Sequence, residues 1–104
     1  MNKFFISLLI AIVAGSIHGV DRASAAIFFV KMYERSTGSP AHIAETPFND
    51  LGDLSKDQAD AVAKLYGIGV TIGTSASTYS PHDPLLPYQF FLMLGKTLMK
   101  IGNS

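Results

Sequence analysis

Cysteine is absent from this chain, and neither sign of charge predominates: eight Lys and Arg balance eight Asp and Glu. The missing cysteine excludes a disulfide framework and any thiolate metal site. It assigns no redox compartment, because many exported chains also lack cysteine. The charge balance removes the basic surplus that nucleic acid or an anionic membrane surface would select. A bilayer-length apolar run is missing too. The uncharged stretch Phe4 to Ala14 covers eleven residues, too few to span a membrane. With 104 residues, the chain has room for one ordinary domain.

Motifs that carry catalysis are also scarce. No Gly-x-Ser-x-Gly elbow accompanies the serines. Gly67, Gly69 and Gly73 have the wrong spacing for a nucleotide loop, follow a helix rather than a strand, and lack a P-loop lysine. They read as a helix ending and a turn. Asn49, Asp50, Asp53, Asp57 and Asp60 form an acidic run without the ligand spacing, central glycine or terminal glutamate of a calcium loop. They read as charge at a helix N-terminus. His18, His42 and His82 are scattered over loops, and nothing sets Glu34 and Glu45 across a cleft. The expectation is no enzyme, no cofactor and no metal.

What the chain does contain begins with an export pattern. Lys3 precedes the apolar run, and small-residue cleavage sites follow at Ala14-Gly15-Ser16 and Ala23-Ser24-Ala25. The reading is a signal peptide over 1–16, with cleavage after residue 25 as the alternative. Either cut leaves a body whose single core supplies only about 3–5 kcal/mol. Self-association or a covering partner is therefore expected.

The periodicity predicts three helices. The first runs from Arg22 to Ser36, capped by Asp21 and stopped by Gly38 and Pro40, with Ala26, Phe29, Val30 and Tyr33 as its apolar stripe. Pro40 to Asp53 is a loop pinned by Phe48. The second helix opens on a Ser55–Gln58 capping box, with Ala59, Val62, Ala63 and Tyr66 as the stripe and Leu65 beside it. Gly69 ends it in a left-handed conformation, Gly67 lying in the last turn. Val70-Thr71-Ile72 is extended, Gly73 to Ser77 a turn, and Tyr79-Ser80-Pro81 folds back over the helices. The third helix starts at Pro87, where a missing N–H costs nothing. Phe90, Leu94, Thr97, Leu98 and Ile101 line its inner face, with Phe91 and Met93 flanking.

An internal repeat connects the first and third helices. With Val20 superposed on Leu85, Ala25 to Phe29 falls on Phe90 to Leu94, and Lys31 on Lys96. The complete unit, Phe48 to Ile101, contains Phe48, Asp50-Leu51, the Ala59/Val62/Leu65 helix, Gly69-Val70-Thr71-Ile72-Gly73-Thr74, Tyr79-Ser80-Pro81 and Gln89-Phe90 with Met93-Leu94. In that order and spacing it resembles the S-layer homology family. Val20-Asp21-Arg22-Ala23-Ser24 and its helix look like the end of a preceding unit, with Ser39-Pro40 as exit. The segments are thus a signal peptide over 1–16, a partial repeat over 19–39, a linker over 40–47 and an S-layer-homology-like repeat over 48–101.

The resemblance implies an all-α, helix-loop-helix repeat fold and non-catalytic attachment at the outer face of the cell envelope. The implied partner is an acidic cell-wall polysaccharide or a surface-layer protein, with no nucleic acid and no membrane span once the signal is removed. It implies that an arginine reads the acid, a role falling on Arg22, with Gly73 and Thr74 as backbone lining the groove. One and a half units suggest assembly, a trimer rebuilding the missing ones. The complete unit departs from the family at Leu85-Leu86-Pro87-Tyr88-Gln89, where both the threonine and the arginine of the helix start are missing, and the tryptophan often found ahead of the first helix is absent. Rival readings are a structural interaction module that has lost polymer binding, a small secreted wall hydrolase, and a membrane-tethered peptide whose N-terminus is never removed.

Overall fold

A computed structural model describes residues 20–103; the expected signal peptide over 1–16 and His18 lie outside them. The described chain is mainly α-helical, with α1 at Arg22–Thr37, α2 at Lys56–Gly67 and α3 at Pro87–Gly102. No regular strand occurs among the described residues, and Asp21 and Pro84 form an isolated antiparallel bridge.

Local chemistry sets the helix ends. The Asp21 carboxylate accepts from the Ser24 N–H at 2.7 Å, satisfying one orphan donor of α1. Gly38 closes α1 at φ 74°, its N–H donating to Glu34 O. At α2 the capping box is reciprocal: Ser55 Oγ accepts from Gln58 N–H at 3.2 Å, and Gln58 Oε1 from Ser55 N–H at 3.0 Å. Ile68 follows in a right-handed conformation and Gly69 turns at φ 83°. At α3 the Leu86 side chain has no acceptor, but Gln89 Oε1 accepts from the Leu86 N–H at 3.0 Å.

α1 is the central element, packing against both α2 and α3. Phe28, Phe29 and Phe90 form an aromatic triangle with centroids 5.1–6.1 Å apart. Each such side chain contributes roughly 1.5–3 kcal/mol on burial. A second group joins the loops to α2. Phe48 is buried, with its ring 5.5 Å from Tyr66 and 5.8 Å from Tyr79. Glu34 ties the 40s loop and α2 to α1, accepting from Ala41 N–H at 2.7 Å and from Lys64 Nζ at 2.8 Å. Burial pulls its carboxyl upward, and the Lys64 and Ala41 contacts outweigh that and hold it below the ordinary range.

Side-chain facing differs from the expected stripes at three places. Leu65 is fully buried and belongs to the centre of the α2 face, whereas Ala59 and Tyr66 are half-buried. α1 also buries Ala25 and Phe28, so its inner face is wider than one stripe. On α3 the inner row is Phe90, Met93 and Thr97, with Leu94 and Ile101 partly buried, while Leu98 points outward. Thr97 is accommodated because its hydroxyl donates to Met93 O at 2.7 Å.

The two helix lead-ins meet. Leu85 N–H donates to Val20 O at 2.9 Å and Arg22 N–H to Asp83 O at 3.1 Å. Val20 and Leu85, the residues superposed in the sequence repeat, therefore lie opposite each other. The same offset carries Arg22–Thr37 onto Pro87–Gly102, so α1 and α3 begin and end at corresponding positions.

Candidate functional site

Arg22 opens α1 and is nearly buried. Its Nε donates to Tyr79 O at 2.8 Å, and its guanidinium carbon lies 4.7 Å from the centre of the Tyr79 ring. Tyr79 returns the contact, its hydroxyl donating to Arg22 O at 2.8 Å. Burial pushes the Tyr79 phenol well above its ordinary range, so it remains a neutral donor.

Asp50 holds Tyr79 in place from the other side. Its carboxylate accepts from the Tyr79 N–H at 3.0 Å and from the Ser80 N–H at 2.9 Å. Burial pulls this carboxyl upward, but the Tyr79 and Ser80 amides outweigh it and hold it below its ordinary value. Ser80 is thereby kept at φ 60°, the one non-glycine residue with positive φ among the described residues.

The glycine turn lies beside this clamp. Gly73 adopts φ 89°, and its N–H donates to Thr71 Oγ1 at 3.1 Å. Thr74 is exposed and bonds to its own loop. Its N–H donates to Thr78 O at 2.8 Å, and its hydroxyl lies 2.9 Å from Thr78 Oγ1 and 2.7 Å from Ser80 Oγ.

Arg22, Thr71, Gly73, Gln89, Leu92 and Lys96 are among the residues lining a cleft of about 160 Å³ between this turn and α3. Two cationic side chains and an amide face it, and no carboxylate lines it. Such a cleft can take an anionic or polyhydroxylated group. Of the expected polymer-binding residues, Arg22 and Gly73 come together here, while Thr74 is not among the lining residues. Lys96 and Gln89 were not singled out as ligand contacts from the sequence. Their seven-residue separation, two helical turns, puts them on one side of α3 and could have pointed to them.

A larger cleft of about 320 Å³ lies between α1 and α2. Its rim mixes Lys31 and Lys64 with Glu34, Asp57 and Asp60, the charges partly neutralised by the Glu34–Lys64 pair. The acidic run is dispersed over separate tasks. Asp50 holds backbone amides, Asp53 pairs with His82 at 2.7 Å, Asp57 lies in the first turn of α2, and Asp60 pairs with Lys56. No cluster of three His, Cys, Asp or Glu that could hold a metal occurs among the described residues. No helix among them is long and apolar enough to cross a membrane. No protein-family model, no curated protein and no solved structure matches this chain.

Proposed function

We propose that this protein is an exported, non-catalytic attachment module of S-layer homology type. It acts at the cell envelope by holding an acidic cell-wall polysaccharide, or a surface-layer protein that presents similar groups. The observation that carries this reading is the carboxylate-free cleft where Arg22, Gly73 and Lys96 converge. A guanidinium and an ammonium at one cleft suit a sugar-borne carboxylate, and the amide nitrogen of the half-buried Gln89 suits hydroxyls. The matching limits of α1 and α3 support the repeat organisation. The export reading rests on the sequence pattern at the N-terminus.

A second reading has a specific observation in its favour. Arg22 is 7% exposed and committed through Nε to Tyr79, so it serves the fold whether or not a ligand binds. Under that reading the module keeps its architecture for protein contacts alone.

Sedimentation with purified cell walls separates the two. Arg22→Ala would disturb the Tyr79 clamp, so the discriminating substitution is Lys96→Glu, at an exposed position on α3. The attachment reading expects the wild-type chain to pellet with walls and Lys96→Glu to lose about tenfold in affinity, a change of about 1.4 kcal/mol. Walls stripped of acidic polysaccharide should retain neither protein. Binding that ignores both Lys96 and the polysaccharide would leave the interaction-module reading standing.

A further inference from the structure

α3 has a second apolar face that nothing in the described chain covers. Tyr88, Phe91, Leu92, Leu98 and Met99 are 49–65% exposed. At 100° per residue they lie on one side of the helix, opposite the inner row of Phe90, Met93 and Thr97. Gly95 and Gly102 run along the centre of this outer stripe, and a Cβ added at either would meet nothing within 4 Å. The resulting seven-residue spacing, Tyr88, Gly95, Gly102, with Phe91/Leu92 and Leu98/Met99 between, is that of a helix–helix seam.

We infer that this face binds the α3 helix of a second copy of the chain, antiparallel, about a two-fold axis at Gly95. The stripe is self-complementary under that operation. Leu92 then faces Met99 of the other copy on one flank, Phe91 faces Leu98 on the other, and the large Tyr88 faces the vacant side of Gly102. Gly95 lies on the axis, where the absence of a side chain lets the two backbones approach. Leucine-to-thioether contacts fill one flank and aromatic-to-leucine contacts the other. The five large side chains offer on the order of 500 Å² per copy, so pairing removes on the order of 1,000 Å², the size at which an interface becomes specific. Glycines at the centre of the stripe add little apolar area for a lipid surface to cover, but they suit a packed helix. The exposed start of α2 carries Lys56 and Asp57 and is no match for an apolar seam. The two-fold pairing replaces the trimer expected from counting repeat units.

The test is molar mass by sedimentation equilibrium of the product isolated from its host, with its N-terminus defined by intact mass. The wild-type chain should have twice the mass of one copy at about 100 µM. Gly95→Gln replaces a helix-weakening glycine by a helix former at an open position, so the monomer should fold at least as well while the seam is filled. Its dimer should be weaker by about tenfold or more. Orientation is read by cysteine pairing, convenient because the chain has none of its own. A mixture of Leu92→Cys and Met99→Cys chains should oxidise to heterodimers. Neither alone should cross-link, since like positions are separated by about 9 Å or more along the axis. A monomeric wild-type chain, a trimer, a mass unchanged by Gly95→Gln, or a monomer that floats with anionic lipid vesicles would each overturn the proposal.

Discussion

Gly73 is the residue at which backbone geometry and site geometry are least separable. It sits at φ 89°, and an added Cβ would run into the Phe48 ring and lie 2.5 Å from Thr78 O and 2.9 Å from Ser75 O. Two of those three obstacles are backbone oxygens that no rotamer change can clear. Gly73→Ala should therefore cost about 3 kcal/mol or more, from positive φ and overlap together. Gly38 provides the internal comparison. Its φ is 74° but the space around it is open, so Gly38→Ala should cost only about 1 kcal/mol. Denaturant titration of both variants checks the difference, and equal costs would mean that the turn yields around residue 73. Asp50 gives the same region a pH dependence. Its folded value lies below the ordinary 3.8 because the Tyr79 and Ser80 amides outweigh burial. Stability from this group is therefore present above the unfolded value and is lost as pH falls through the folded one. Glu34 acts with the same sign from its ordinary value of 4.5. Asp50→Asn should lower stability by about 1–2 kcal/mol at neutral pH and flatten the loss below about pH 4, leaving the Glu34 share. Thermal melts of both proteins across that range measure it, and parallel curves would remove Asp50 from the account.

Among the elements, α3 is the one whose start is chemically incomplete. α1 and α2 begin on Asp21 and Ser55, which both accept from the first turn. α3 begins on Leu86, which supplies only a backbone N–H to Gln89. Leu86 has cap-compatible angles, φ −76° and ψ 153°, and is 46% exposed. Leu86→Thr should complete the reciprocal box with Gln89 and stabilise the protein by about 1 kcal/mol, raising Tm by about 4–8 °C. A calorimetric scan decides it, and an unchanged Tm would show that Pro87 already fixes the helix start. The helices themselves were legible because each carries 3.6-residue periodicity and ends on proline, glycine or a capping side chain. Gly38, Gly69, Ser55 and Pro87 all occupy the expected positions. The inner face of α3 was not fully legible, since both its sides are apolar and periodicity alone cannot choose between them. Periodicity faces Leu98 inward, yet it lies outward, and Met93, expected on the flank, is in the core. The cleft was legible in part. Arg22 and Gly73 stand in recognisable motifs, but Lys96 reaches the same space only through the packing of α3 on α1, and the hold of Tyr79 on Arg22 spans 57 residues.

At the scale of the whole molecule, the first turn of α1 is the joint that connects the lead-in of α3 and the Tyr79 segment to the helix core. Val20 O and Arg22 N–H bind the lead-in of α3, Ala23 N–H binds Pro81 O at 2.9 Å, and Arg22 grips Tyr79, which rests on Asp50 and Phe48. Ala23 and Ala25 are buried within the same turn. This bears on where the proposed export signal can be cut. Cleavage after Ser16 leaves the joint intact. Cleavage after Ala25 removes the Asp21 cap, worth about 1 kcal/mol, and the Arg22–Tyr79 hydrogen bonds, worth about 1–3 kcal/mol together. It also removes the bridge to Pro84 and two buried alanines. Those losses consume the roughly 3–5 kcal/mol that a core of this size supplies. A chain beginning at Ile17 should therefore unfold in one cooperative transition, and a chain beginning at Ala26 should show no cooperative melt by circular dichroism. On the proposed export reading, intact mass of the mature product should place its first residue ahead of Val20. A cooperative fold in the shorter chain would show that α2 and α3 hold together without the joint, and the central role given to α1 would then have to pass to the Phe48–Tyr66–Tyr79 cluster.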